Sequence, residues 1–197
     1  MQIILASASP RRAELLGQLV SDFVVHPSHI DEQQQAHESP TDYVQRLASD
    51  KALAVAKTVG QTALVLGSDT LIDVNGDVME KPLNQQHFDQ MLRRLAGQVH
   101  QVRTGVAVVA VQAGRIIKQR QLDVVTHVTM GAISDAQRDA YWATGEPQDK
   151  AGGYAIQGGA ARFVKAINGS YTAVVGLPLY ETNELIQQGL NWLESSQ

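Results

Sequence analysis

The chain of 197 residues contains no cysteine. That excludes disulfides, thiolate nucleophiles and cysteine-ligated metal centres. It also lacks an apolar run near the ~20 residues needed to span a bilayer. Its first residues have neither the basic start nor the long apolar segment of a secretory signal. A basic surplus is missing as well, since the net charge is −4. Nucleic-acid binders usually carry a basic excess or stripe, so neither nucleic acid nor a membrane is expected as a partner. What remains is a cytoplasmic globular protein with 44% hydrophobic and 18% charged residues, long enough for a substantial core.

The most informative segment is Ala6-Ser7-Ala8-Ser9-Pro10-Arg11-Arg12. Ile3-Ile4-Leu5 before it reads as a buried strand, and Ala13 to Leu19 after it as an amphipathic helix. Two adjacent arginines at a helix start oppose the helix dipole, and a polyanionic ligand would relieve that conflict. Serine hydroxyls and guanidinium forks suit phosphate. Ser9 as an ordinary N-cap followed by Pro10, with solvated arginines, explains the local pattern about equally well.

Strand and helix signals alternate along the chain. Phe23-Val24-Val25 reads as a short strand, and the polar stretch after it as a loop. Ser39 caps a helix whose face carries Tyr43, Leu47, Ala48 and Val55. Ala63 to Leu66 is a strand, and Asn75-Gly76 turns a hairpin. Asn84 to Ala96 is a helix. Val99 to Val111 and Arg115 to Met130 pair through Ala113-Gly114, and Ser134 opens a capping box. A strand at Phe163 to Ile167 and a helix at Leu179 to Leu193 complete the pattern. The fold class is α/β, with a mixed, partly antiparallel sheet.

Three further clusters carry polar chemistry. Gly67-Ser68-Asp69-Thr70 follows the strand ending at Leu66, which presents an acid at a strand terminus; an Asx-turn is the plain alternative. In Glu80-Lys81-Pro82, the proline holds Lys81 extended, either toward a phosphate or as an edge-strand lysine. The glycine-dense stretch from Gly145 to Gly159 suits close backbone approach to a ligand. Gln157, expected buried there, has the donor and acceptor needed to read a base edge. Asn168-Gly169-Ser170-Tyr171 reads as a turn. The six histidines show no metal-ligand spacing and read as surface or structural residues.

Taken together, these motifs resemble the Maf family of nucleotide pyrophosphatases. The likeness runs nearly end to end and includes Asp31-Glu32, Ser49-Asp50-Lys51-Ala52, Gly97 to Val102 and Ile167 to Leu179. The resemblance implies a single domain over residues 1–197, elongated, with two lobes around a groove, similar to the inosine triphosphatase fold. It implies hydrolysis of a nucleoside triphosphate to monophosphate and pyrophosphate with a divalent cation (Mg²⁺, Mn²⁺ or Co²⁺), in a homodimer. By the same resemblance Asp69 is the proton acceptor, and Glu32 and Asp69 hold the metal. Arg12, Lys51 and Lys81 bind phosphate, joined by Ser7 and Ser9 on the hydroxyl chemistry of the opening turn. Arg11, Thr70 and Gln157 set selectivity, a combination similar to the subgroup acting on dTTP and UTP. Ser68 and Gly152-Gly153 depart mildly from the usual pattern. Two other classes stay open on sequence: a nucleotidyltransferase, whose phosphate loop is usually richer in glycine, and a non-enzymatic regulator of cell division.

Overall fold

In a computed structural model describing residues 1–195, seven strands form one sheet in the order β2-β1-β3-β5-β6-β7, with β4 paired to β3. The strands are β1 (Gln2–Leu5), β2 (Val24–Val25), β3 (Ala63–Val74), β4 (Asp77–Met79), β5 (Val99–Gln112), β6 (Arg115–Met130) and β7 (Val164–Asn168). β1 runs parallel to β2 and β3, and the remaining pairings are antiparallel. The helices are α1 (Pro10–Leu16), α2 (Pro40–Ala56), α3 (Gln85–Leu95), α4 (Asp135–Trp142), α5 (Tyr171–Val175) and α6 (Leu179–Glu194). The mixed sheet expected from sequence is what forms. No described helix is long and apolar enough to cross a membrane.

The sheet is covered on both faces, which is why residues 63–66 of β3 and 106–111 of β5 are apolar without interruption. Successive side chains alternate faces. Leu64, Leu66, Val106 and Val108 join the larger core with Phe88, Leu92, Tyr141 and Leu185. Ala63, Val65, Ala107 and Val109 face the other way, against Ala48, Ala52 and Val55 of α2. Local signals set the ends of the elements. Ser39 accepts from the Asp42 amide and Asn84 from the His87 amide, and Ser134 and Gln137 complete a reciprocal capping box. Asn75-Gly76 and Ala113-Gly114 take the positive φ that tight hairpins need.

Four local expectations are corrected. β3 does not stop at Leu66 but continues to Val74, so Asp69 lies within a strand and forms no Asx-turn. α1 ends at Leu16, and Ser9 occupies its cap position without a side-chain cap bond. The Asn168–Tyr171 segment is more than a turn, because Ser170 caps the short helix α5 through the Ala173 amide. Gln157 is exposed. His100 is a hydrogen-bonded structural histidine, one of the two kinds expected: it is buried, with Nε2 at 2.7 Å from the Tyr154 hydroxyl.

Helix α2 sits unusually close to the sheet. A Cβ on Gly67 would lie 2.2 Å from the Ala48 carbonyl oxygen, and one on Gly105 would lie 2.4 Å from that of Val44. Both neighbours are backbone, so no side-chain adjustment would make room. Arg103 then fastens the helix start. Its Nη1 donates to Thr41 Oγ1 at 2.9 Å and to Asp123 at 2.8 Å, while Nε donates to Asp73 at 2.9 Å. Burial raises the Asp123 pKa against the pull of Arg103.

Two outcomes follow from this packing. Gly105→Ala is expected to force α2 off the sheet and cost about 1–3 kcal/mol, measured by urea unfolding. The second concerns His100, whose pKa burial pushes down to about 4 from the ordinary 6.5. The unfolded chain takes up that proton first as pH falls, so the stability His100 contributes is whole above the unfolded value and is lost on descending toward the folded one. The melting temperature should therefore begin to fall below about pH 6.5, before most carboxylates titrate. The non-titrating His100→Gln variant should flatten that part of the slope.

Candidate active site

β3 supplies the centre of the site. Its pleat sends Asp69 toward α2, whereas Ser68 and Thr70 turn toward the side of α1 and α5. Lys51 of α2 donates to Asp69 Oδ1 at 2.7 Å and lies 3.0 Å from Glu32 Oε2. The Lys51 and Asp69 side chains are only 7% and 11% exposed, so this pair is largely withdrawn from water, whereas that of Glu32 is 51% exposed. Breaking a buried pair of this kind leaves an uncompensated charge, at a typical cost of about 3–5 kcal/mol.

On the opposite side, Arg12 reaches back from the first turn of α1 to join three segments. Nε donates to the Gly176 carbonyl at 2.9 Å, Nη1 to Ser7 Oγ at 3.3 Å and Nη2 to Thr70 Oγ1 at 3.3 Å. Ser68 Oγ is also within 3.0 Å of the Gly176 carbonyl. Thr70 Oγ1 lies 3.1 Å from Thr104 Oγ1, which donates to the Ala173 carbonyl at 2.8 Å. Burial lowers the Arg12 pKa, opposed by Asp69 and Glu32 and assisted by the neighbouring charge of Arg11. Ser9 contributes its amide, which donates to Ser7 Oγ at 3.2 Å.

A cavity of about 680 Å³ opens between these groups. Ser7, Ser9, Arg11, Arg12, Glu32, Lys51, Asp69, Thr70, Lys81 and Gln157 all line it, although they are scattered over 150 positions of sequence. Thr70 bonds to Arg12, the residue that the resemblance assigns to phosphate. Gln157 and Lys81 are exposed at the cavity rim. Arg11 also lies near Asp149, whose carboxyl is lowered chiefly by Lys150 and to a smaller degree by Arg11.

Sequence reasoning missed Tyr43 and Glu80 as members of the site. Tyr43, Leu47 and Lys51 recur every four residues and all face the cavity. The apolar periodicity placed Tyr43 and Leu47 in the core, which is true of their carbon atoms. The signal available was the lysine at the end of the same stripe. Tyr43 OH donates to the Glu32 carbonyl and lies 3.1 Å from Glu80 Oε1. Burial and the neighbouring carboxylates raise its pKa well above the ordinary phenol value.

Among the described residues no group of three or more His, Cys, Asp or Glu side chains is disposed to hold a metal. Two carboxylates do converge, since Asp69 and Glu32 meet the same ammonium with one oxygen each. A hard divalent cation that draws its other ligands from water and phosphate needs few protein carboxylates, so the donor set fits one.

Comparison with known proteins extends over the same residues. A dTTP/UTP pyrophosphatase of Idiomarina loihiensis is 49% identical over 187 residues, covering 95% of this chain and 94% of its own. That of Vibrio cholerae is 47% identical, covering 95% and 97%. That of Shigella dysenteriae is 50% identical over 186 residues, covering 93% and 91%. Among solved structures, the Staphylococcus aureus Ham1 protein aligns with 66% of this chain and 72% of its own at 12% identity, with a TM-score of 0.44. Residues 2–189 match the family described as Maf-like protein, from β1 through most of α6 and so across every segment that lines the cavity; the chain belongs to the Maf family.

Proposed function

We propose that this protein hydrolyses dTTP and UTP to the nucleoside monophosphate and pyrophosphate. The observation that carries the reading is the convergence of an acid–lysine–acid group and two arginines on one cavity. Relatives about half identical over nearly their whole length bear the name dTTP/UTP pyrophosphatase. Modified pyrimidine nucleotides belong to the same substrate class.

Cleaving the α–β phosphoanhydride requires neutralised phosphate charge, an in-line water and a group to orient that water. Asp69 is the proton acceptor in this reading. A strand interior holds it rigidly, and the Lys51 ammonium fixes one of its oxygens. Glu32 and Asp69 would hold the divalent cation, Mg²⁺, Mn²⁺ or Co²⁺. When bound, the cation supplies charge neutralisation and makes the attacking water more acidic, which suits a base as weak as a carboxylate. Lys51, Lys81 and Arg12 bind phosphate oxygens, with Ser7 and Ser9 shaping the turn beneath them. Arg12 is already held by three acceptors, so its fork is oriented before a ligand arrives.

Arg11, Thr70 and Gln157 select the base. Because Gln157 is exposed at the rim, its amide is free to offer one donor and one acceptor to the O4 and N3–H edge of uracil or thymine. The Arg12–Thr70 bond couples phosphate binding to base choice. The chain is proposed to act as one two-lobed domain in a cytoplasmic homodimer.

Asp69→Asn leaves Lys51 paired with Glu32, so it should still fold, at reduced stability, and lose about 10²–10⁴-fold in kcat, measured by pyrophosphate release. Turnover at the native rate would end the assignment of Asp69. In a screen of nucleoside triphosphates with added metal, UTP and dTTP should be preferred over GTP and ATP. Gln157→Ala should narrow that preference mainly through KM, and equal use of GTP by the native protein would refute the selectivity.

A further inference from the structure

Glu32 lies in a segment without regular secondary structure, between β2 and α2. What aims its carboxylate at the cavity is therefore a question of tertiary bonds. Arg46 holds the neighbouring positions, donating to the Gln33 carbonyl at 3.0 Å and pairing with Glu38 at 2.6 Å. At residue 32 itself the peptide carbonyl receives the Tyr43 hydroxyl. The ring of Tyr43 is fully packed among Val44, Leu47 and Leu71, with Ile30 and Val78 against them. Its oxygen therefore emerges from the first turns of α2 at a fixed point. The same oxygen lies 3.1 Å from the carboxylate of Glu80, whose own carbonyl accepts the Gly152 amide at 2.9 Å. A phenol has one proton, so two acceptors converge on a single donor.

We infer that Tyr43 is a positioning residue for the metal-holding carboxylate: its hydroxyl fixes the peptide of Glu32 and so directs the Glu32 side chain toward Asp69. The inference rests on the proposed role of Glu32. Groups that orient a metal ligand typically matter about 10–100-fold to metal affinity. Tyr43→Phe removes the hydroxyl and keeps the packed ring, while Arg46 still anchors the segment that follows, at Gln33 and Glu38.

The test is Mn²⁺ binding to the nucleotide-free protein, followed by electron paramagnetic resonance, with native protein, Tyr43→Phe, Glu32→Gln and the double variant. Tyr43→Phe should weaken Mn²⁺ by about 10–100-fold, close to Glu32→Gln, and the double variant should weaken it no further. Val55→Ala, on the far half of α2, serves as a control that destabilises without touching the site. Native affinity in Tyr43→Phe beside a weakened Glu32→Gln overturns this inference alone. So do independent, multiplying effects in the double variant, or an equal loss in Val55→Ala. Unchanged affinity in Glu32→Gln, or no Mn²⁺ bound by the native protein, overturns the reading of Glu32 and this inference with it.

Discussion

Two missing side chains set the distance on which the site depends. Gly67 and Gly105 stand on neighbouring strands, and α2 lies across them with its backbone where a Cβ would be. Only at that separation does the Lys51 ammonium, two turns beyond Tyr43, come within 2.7 Å of Asp69. A helix seated a methyl group further out would leave a buried carboxylate without its partner. Packing and electrostatics thus constrain each other. The close approach permits the ion pair, and the ion pair strongly penalises any motion that would open the approach.

The cavity has a polarity that follows from the sheet. On the α2 side, Lys51 gathers Asp69 and Glu32; on the α1 side, Arg12 gathers the Gly176 carbonyl and the hydroxyls of Ser7 and Thr70. Carboxylates and guanidinium groups therefore occupy separate walls and do not neutralise one another by direct contact. A charged ligand meets two acids around one ammonium on one side and a guanidinium on the other.

Much of this was legible in the sequence because the signals were local. Ser39 and Ser134 cap the helices they were expected to cap, and the glycine-containing hairpins turn where expected. The ten candidate site residues meet in one cavity because several separated motifs, read together, define one surface. What escaped was tertiary in origin. Ser68 and Asp69 look like a polar loop, yet they continue β3, because Gly105 and Lys51 satisfy them from neighbouring elements. His100 looks like one more scattered histidine until Tyr154 folds over it. Tyr43 reads as a core residue because periodicity describes rings and says nothing of hydroxyls. Gln157 was expected inside because glycines surround it, yet glycine density marks backbone proximity and does not enclose a side chain.

The unbroken course of β3 through the cavity has an evolutionary corollary. Adjacent residues there serve opposite walls: Asp69 faces Lys51, and Thr70 faces Arg12. The assignment is held by strand parity alone. A single inserted or deleted residue between Gly67 and Asp69 would exchange the two faces, presenting a hydroxyl to the ammonium and a carboxylate to the guanidinium. Substitutions in this stretch can be explored one at a time, but its length cannot change by one. Length variation in such a fold is confined to the loops, where an added residue shifts no alternation.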